Sequence, residues 1–193
     1  MRVIAGTAGG TPLHTPRTDL RPTMDVVKGA IFSSLGDFVT GARVLDLFAG
    51  SGALGIEALS RGAGHVTFVE SDRRAVAAIE KNLEKTKLAG PCATVVPLDI
   101  FRFLDRREFA GTYEIIIADP PYAKADGERD FAPELLTSAS LQNALVPGGI
   151  FILEHLPGAK LKLGTAWECF RQKRYGATAV AFLRLTEAPA ANV

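Results

Sequence analysis

The chain has 193 residues, of which 47% are hydrophobic and 22% charged, and its formal net charge is +1. These values are typical of one soluble globular domain, and no apolar run approaches the roughly 20 residues of a membrane span. Two isolated cysteines and three histidines without metal-ligand spacing predict neither a disulfide framework nor a zinc site. Because the first residues lack the apolar core of a signal peptide, we expect a cytoplasmic protein.

Charge is distributed unevenly along the chain. Residues 1–36 carry four Lys or Arg and two acids, residues 37–154 carry twelve and seventeen, and residues 155–185 carry six and one. Positive charge at the two ends favours contact with a nucleic acid, although the same side chains also suit an ordinary solvated face. The candidate contacts are Arg2, Arg17, Arg21, Lys28, Arg171, Lys173 and Arg174.

The first 36 residues are predicted to form a small extension. Residues 1–5 have the pattern of a short strand, which residues 11–15 can extend into a hairpin through the glycine-rich residues 6–10. Thr23 can then cap a helix whose apolar face is formed by Val26, Val27, Ala30, Ile31 and Leu35. This segment precedes the regular alternation of elements, so we interpret residues 1–36 as a separate N-terminal unit.

From Arg43 onward, strands and helices alternate. Strands are predicted at residues 44–47, 66–69, 94–96, 115–118 and 149–153, and helices at 54–60, 73–86, 100–107 and 131–144. Such alternation is typical of an α/β fold with a mostly parallel sheet covered on both faces. Residues 167–174 and 177–184 predict an antiparallel C-terminal hairpin, which gives a seven-stranded Rossmann-like domain over residues 37–186 before a disordered tail at 187–193.

A glycine-rich loop follows the first of these strands. Gly50, Gly52 and Gly55 form a G-x-G-x-x-G pattern that opens a helix, where glycines allow a tight turn and a close approach of the backbone to a ligand. Glu70 follows Gly52 by 18 positions at the end of the next strand, where an acid binds ribose hydroxyls. The combination predicts a nucleotide site.

The residues around this loop bear on which nucleotide is bound. Asp46 ends the strand, and a carboxylate there would repel a pyrophosphate but could hold an ammonium group, which favours S-adenosylmethionine over NAD. Asp99 can accept from the adenine amine or cap the following helix, and Phe48 can flank the cofactor or fill the core. The predicted cofactor contacts are Asp46, Phe48, Ala49, Gly50, Ser51, Gly52, Gly55, Glu70, Ser71, Asp99 and Ile100.

The apolar run 115–118 ends in Asp119, Pro120, Pro121 and Tyr122. Pro121 has no N–H and restricts Pro120 to an extended conformation, so a carbonyl oxygen and the Asp119 carboxylate become two acceptors for a planar amino group. Tyr122 can stack on an extruded base, a contact worth roughly 1–3 kcal/mol. These four residues are the predicted catalytic segment, although prolines also end strands for structural reasons alone.

Residues 46–55 followed by 119–122 resemble the class I S-adenosylmethionine methyltransferases that modify exocyclic amines. More narrowly, residues 2–6, 21–25, 46–60, 119–122 and 175–178, together with Asn82, resemble the bacterial small-subunit ribosomal RNA methyltransferase D family. Residues 7–11 lack the basic side chains usual in that family, and Val26 and Gly29 stand where an arginine and a glutamate are common. These departures concern the RNA contact rather than the chemistry.

The resemblance implies methylation of the N2 amine of one guanine in 16S rRNA, with the small ribosomal subunit or its late precursor as substrate. It also implies that residues 1–36 bind RNA or cover the cofactor, which makes the basic side chains at the two ends RNA contacts. In the expected in-line displacement, Asp119 and the Pro120 carbonyl hold the amine while Tyr122 stacks on the base. We expect the enzyme to be a monomer.

Other functions stay open at this point. Because the acceptor pair fits any planar amine, an adenine-N6 methyltransferase on DNA or RNA is the main alternative. A nicotinamide-dependent oxidoreductase and a non-catalytic RNA-binding factor are more remote. Trp167 is interpreted as hairpin packing rather than a base platform, and Glu154 would suit a second acid near the site but is assigned no role.

Overall fold

The computed structural model describes residues 1–15, 23–122 and 128–186. The predicted RNA contacts Arg17 and Arg21 and the predicted disordered tail at 187–193 lie outside these residues. Among the helices that are described, none combines the length and apolar character needed to cross a membrane.

The described residues form an α/β fold around a seven-stranded sheet. The strands are β1 (Arg43–Leu47), β2 (His65–Glu70), β3 (Ala93–Pro97), β4 (Tyr113–Ala118), β5 (Leu145–His155), β6 (Trp167–Tyr175) and β7 (Thr178–Leu185). The helices are α1 (Thr23–Leu35), α2 (Ala53–Ser60), α3 (Arg73–Thr86), α4 (Ile100–Leu104), α5 (Phe131–Thr137) and α6 (Ala139–Ala144). The strand order is β3-β2-β1-β4-β5-β7-β6, in which only the pairings of β7 are antiparallel. The predicted mixed sheet is therefore confirmed.

Helices cover both faces of the sheet. The α1–α3 face is packed by Ile31, Ile56 and Ile79, and the α4–α6 face by Phe103 and Leu135, all of which are buried. Strand β4 lies in the middle of the sheet, and its residues from Ile115 to Ala118 are completely buried, as expected for a parallel strand covered on both sides.

Three predicted boundaries were wrong: the helix predicted at 100–107 ends at Leu104, and two other differences have identifiable reasons. The single helix predicted at 131–144 is divided at Ser138, whose extended backbone ends α5 and whose hydroxyl accepts from Leu141 N at 3.1 Å as the N-cap of α6. Strand β5 begins at Leu145 rather than at residue 149, because Leu145 already pairs with Tyr113 before an irregularity in the ladder.

The N-terminal segment forms the predicted hairpin. Val3 N donates to Thr11 O at 2.9 Å, and Gly10 N donates back to Val3 O at 2.8 Å. The hairpin lies against α2, where a side chain at Gly6 could not fit because its Cβ would be 1.7 Å from the Ser60 carbonyl oxygen. The N-terminal unit is thus packed directly on the helix that follows the glycine loop.

Candidate active site

The predicted site residues meet at the carboxyl edge of the parallel strands. Asp46 lies on β1, Glu70 ends β2, Asp99 follows β3 and Asp119 follows β4. Because β1 and β4 are neighbours at the point where the strand order reverses, the edge has the crevice in which open α/β sheets bind their ligands.

The glycine loop has the conformation that its sequence predicts. Gly50 and Gly52 have positive φ values of 56° and 78°, and Gly52 directly precedes α2. Gly55 packs against β2 so closely that a Cβ would lie 2.3 Å from the Phe68 ring. Phe48 also has a positive φ, 57°, which a non-glycine residue adopts rarely. The loop is therefore a tight turn that exposes backbone next to the helix N-terminus.

Asp46 is buried within this arrangement. Its Oδ2 accepts from Gly55 N at 2.8 Å, which anchors the start of α2 to β1. Burial raises the pKa of the Asp46 carboxyl from 3.8 to about 7; the bond from Gly55 opposes this effect, and the charges of Asp119 and Glu70 add to it. The observed role of Asp46 is structural, and its contact with a cofactor ammonium stays a prediction.

The two other acids predicted to bind the cofactor also have observed partners. Glu70 Oε2 accepts from Gly50 N and its Oε1 from Asp72 N, both at 2.8 Å, so Glu70 holds the glycine loop. Asp99 Oδ1 accepts from Phe101 N at 3.0 Å and from Arg102 N at 3.1 Å, so the capping alternative is observed. Contacts of Glu70 and Asp99 with a nucleoside stay predictions.

An aromatic cluster that the sequence analysis missed lies beside Phe48. The Phe131 ring is 5.0 Å from Phe48, edge to face, and stacks on Phe101 at 6.4 Å. The Arg129 guanidinium covers Phe101 at 4.8 Å and Phe131 at 4.7 Å. Phe48 therefore packs on the α4–α6 side of the loop, next to the start of the helix that Asp99 caps.

The Asp119 to Tyr122 segment follows the buried strand β4. Asp119 and Tyr122 are half-buried, Pro120 is buried and Pro121 is exposed. The Tyr122 hydroxyl lies 2.7 Å from Thr178 Oγ1 at the start of β7, which fixes the ring against the β6–β7 hairpin. A cavity of about 80 Å³ adjoins this segment, and its lining includes Glu154, Lys160 and Lys162.

Glu154 is a buried acid next to this segment. It is 8% exposed, and its Oε2 accepts from Thr178 Oγ1 at 3.4 Å. Burial and the neighbouring Asp119 charge raise the pKa of the Glu154 carboxyl well above its usual range. Asp46, Asp119 and Glu154 thus place three acids on adjacent strands, an arrangement that attracts a cationic ligand.

The structure corrects one predicted RNA contact. Lys28 is only 2% exposed; its ammonium donates to Arg2 O and lies 3.5 Å from Glu57 Oε2. Burial lowers the pKa of Lys28 despite the nearby acids Glu57 and Asp25. Because the side chain points into the protein, it does not face an RNA phosphate, and no local pattern indicated a partner 29 residues away.

The other predicted RNA contacts in the described part of the chain are exposed. Arg171, Lys173 and Arg174 lie on the edge strand β6, and Arg2 lies on the N-terminal hairpin. Arg171 pairs with Phe182 and Lys173 with Val180, so both project on the α1–α3 face, whereas Arg174 projects on the other. The three therefore do not form one patch, and an RNA contact stays a prediction for each.

Four further residues were interpreted correctly or missed. Trp167 is buried and its Nε1 donates to Leu136 O at 2.8 Å, which confirms the packing interpretation. Lys160 and Lys162 were missed because no motif marks them. Asn82 was named only as part of the family resemblance and was given no role. Its Nδ2 donates to Ser51 O at 2.9 Å in the glycine loop and to His14 O at 2.8 Å.

The fold and this edge define a class I S-adenosylmethionine-dependent methyltransferase with a Rossmann-like sheet. The chain belongs to the family described as conserved hypothetical protein 95, whose model matches residues 1–184. The predicted preference for S-adenosylmethionine over NAD is thereby confirmed.

Relatives span nearly the whole chain. A Bacillus subtilis (strain 168) protein with the provisional name rRNA methyltransferase YlbH is 37% identical, covering 95% of this chain and 98% of that protein. Ribosomal RNA small subunit methyltransferase D of Haemophilus influenzae is 31% identical, covering 91% of this chain and 89% of that protein.

Among solved structures, the T. thermophilus 16S rRNA N2 G1207 methyltransferase (RsmC), in complex with AdoMet and guanosine, superposes with a TM-score of 0.73. It is 27% identical and is matched over 89% of this chain and 45% of that chain. The similarity is therefore to about half of the larger enzyme.

Proposed function

We propose that this enzyme transfers the methyl group of S-adenosylmethionine to the N2 amine of a guanine in 16S rRNA. The observation that carries the proposal is the position of the Asp119 to Tyr122 segment. It lies between the glycine loop after β1 and the cavity beside β5, with Tyr122 bonded to Thr178. The substrate is the small ribosomal subunit or its late precursor in the cytoplasm, and the enzyme acts as a monomer.

The relatives support this assignment of substrate. The name of the H. influenzae protein gives small-subunit rRNA as its substrate, and the T. thermophilus enzyme is named for the N2 position of a guanine. The Asp-Pro-Pro-Tyr segment supplies acceptors that suit such an amine, because a guanine N2 carries two N–H donors.

The residues at the edge of the sheet fit the cofactor. The left-handed backbone at Gly50 and Gly52 lets the chain approach a ligand, and the acids at 46 and 119 suit a molecule with a sulfonium and an ammonium group. Glu70 would bind the ribose and Asp99 the adenine amine through acceptor capacity left beside their observed bonds. The other contacts are the loop residues Phe48, Ala49, Ser51 and Gly55, with Ser71 and Ile100 next to the two acids.

When bound, S-adenosylmethionine supplies an activated methyl group on a good leaving group. The chain's own residues therefore have mainly to position the acceptor, a contribution that can be large. The Asp119 carboxylate and the Pro120 carbonyl oxygen accept hydrogen bonds from the two N2–H groups and direct the nitrogen lone pair toward the β1 side. Tyr122 stacks on the base. A bond forms between N2 and the methyl carbon as the sulfur–methyl bond breaks, and N2 releases one proton, which Asp119 is placed to accept.

Positive charge near the cavity would hold the RNA backbone. Lys160 and Lys162 border the cavity next to Tyr122, and Arg171, Lys173 and Arg174 add exposed basic groups on the two faces of β6. Contacts of this kind position a nucleic acid without reading its sequence.

The test is methylation in vitro with labelled cofactor. Purified small subunits, naked 16S rRNA and double-stranded DNA are each incubated with the enzyme, and nucleosides are identified by mass spectrometry. We expect N2-methylguanosine from the RNA of small subunits. If N6-methyladenosine is the product instead, or DNA is the better substrate, the proposal is wrong and the adenine alternative is correct.

A further inference from the structure

Glu154 lies next to Asp119 at the carboxyl edge of the sheet. Ala118 of β4 pairs with Leu153 of β5, and the next residues along these parallel strands are Asp119 and Glu154. Neighbouring strands are about 4.8 Å apart, so the two acids are adjacent. Because the sheet order is β1-β4-β5, the glycine loop lies on one side of Asp119 and Glu154 lies on the other.

The Glu154 side chain projects on the α1–α3 face. Glu154 pairs with Val180, which belongs to the core on that face, and Asp46 pairs with Ile117 of the same core. Residues paired across a ladder project on the same side, so the acids at 46 and 154 flank the amine-binding segment on a common face. A base held at Asp119 and facing the glycine loop would therefore have Glu154 along its edge.

Burial restricts the carboxyl group of Glu154 in this position. It is 8% exposed and accepts from Thr178 Oγ1, and the same hydroxyl lies 2.7 Å from the hydroxyl of Tyr122. Thr178 thus joins Glu154 to the ring that stacks on the base. A group held by such a network loses little freedom on binding a ligand, which suits it for recognition.

Guanine and adenine differ at the ring nitrogen N1, which lies next to the amino group in both bases. In guanine, N1 carries a hydrogen and lies beside N2, whereas in adenine N1 is an acceptor and lies beside N6. We propose that Glu154 accepts a hydrogen bond from N1–H of the target base and thereby selects guanine over adenine. This inference rests on the proposed function.

The chemistry of the carboxyl group agrees with this role. Both its ionised and its neutral form keep an oxygen that accepts from N1–H, and the neutral form can also donate to guanine O6. In an adenine bound by its amine, the same oxygen would face the N1 lone pair. A site built to pair with a substrate N–H discriminates strongly against an analogue that lacks it.

The experiment changes the base and the residue together. Small subunits reconstituted with 16S rRNA that carries guanine at the mapped target position are compared with subunits whose 16S rRNA carries 2-aminopurine there, a base that keeps the N2 amine but has neither N1–H nor O6. For the wild type we expect kcat/KM to fall roughly 10- to 100-fold on this change. Glu154→Met has no side-chain oxygen, so the ratio of kcat/KM for the two substrates should fall close to one. Glu154→Gln keeps a carbonyl oxygen and should preserve most of the wild-type difference in kcat/KM.

Glu168→Met is the matched control, because Glu168 is an exposed acid on β6 that pairs with Arg184. It should leave the ratio unchanged. A wild-type ratio near one overturns the inference without any variant, and so does a Glu154→Met enzyme that keeps the wild-type ratio. If the wild type methylates both RNAs at N2 but the ratios of kcat/KM for guanine and 2-aminopurine differ from those expected, only the role of Glu154 is wrong. If it makes no N2-methylguanosine at all, the proposed function fails as well.

Discussion

The buried pair of Glu57 and Lys28 gives a sharp prediction about stability. Glu57 in α2 is completely buried and accepts from Ile4 N at 2.7 Å, Ala5 N at 3.1 Å and Arg61 Nε at 2.7 Å, with Lys28 Nζ at 3.5 Å. The carboxylate thus joins the N-terminal hairpin and α1 to α2. We expect Glu57→Gln to be strongly destabilising.

The size of the effect follows from what each substitution leaves buried. Glu57→Gln replaces one acceptor oxygen by an N–H group that faces donors. Among the described residues, it leaves the Asp25 carboxylate, 3.9 Å away, as the remaining acid next to the Lys28 ammonium. Removing one partner of a buried ion pair costs about 3–5 kcal/mol. Lys28→Met leaves Glu57 with its three other donors, so we expect a smaller loss of about 1–3 kcal/mol. The double variant should be less destabilised than the sum of the two.

Urea unfolding followed by tryptophan fluorescence measures these differences. Trp167 is the only tryptophan and is 3% exposed, so its emission reports the loss of the native core. Glu168→Gln is the control; it removes a pair with Arg184 whose side chains are about half exposed, so the free energy of unfolding should change little. The reasoning would be refuted if Glu57→Gln lowered the free energy of unfolding by less than about 1 kcal/mol. It would also be refuted if Lys28→Met lowered this free energy more than Glu57→Gln does.

Three further predictions concern the site. Asp119→Ala should lower kcat by roughly 100-fold or more while S-adenosylhomocysteine binding, measured by calorimetry, changes little; near-normal turnover would remove Asp119 from the mechanism. Asp46 holds its proton more tightly in the folded than in the unfolded protein, so the stability it contributes is present below pH 3.8 and is lost as the pH rises to about 7. Asp46→Asn should therefore gain stability relative to the wild type between pH 5 and pH 8, by roughly 2–3 kcal/mol, and bind cofactor more weakly; equal differences in Tm at both pH values would contradict this. Gly55→Ala should destabilise the fold by about 1–3 kcal/mol in thermal unfolding, because its Cβ meets the Phe68 ring, and an unchanged Tm would show that β2 gives way.

Features that depend on neighbouring residues in the chain could be predicted from the sequence. The parallel sheet followed from the alternation of apolar strands with helical spacing, and α3 has the predicted bounds because Asp72 caps it by accepting from Arg74 N and Ala75 N. The glycine loop was predictable because positive φ at Gly50 and Gly52 is a local requirement of the turn.

Features that depend on tertiary contacts could not be predicted in this way. Lys28 was a single basic residue in a predicted helix, and nothing near it in the chain indicated that Glu57 would bury it. Glu154 stood at the end of a strand like many acids, and only the register of β4 with β5 shows that it adjoins Asp119. Ser138 could have been recognised, since a serine three residues before Leu141 is a common N-cap, but the helical spacing continued across it.

The N-terminal unit and the cofactor loop are parts of one bonded framework. Ala8 N donates to Ser60 Oγ at the end of α2, and His14 N donates to Asn82 Oδ1 at 2.7 Å on α3. The amide nitrogen of the same Asn82, which is completely buried, donates to Ser51 O between the two glycines of the loop. Movement of the hairpin away from α2 and α3 would therefore remove a support of the glycine loop. For this reason the Glu57 and Lys28 variants should weaken S-adenosylhomocysteine binding as well as the fold, although neither residue lies on the glycine loop itself.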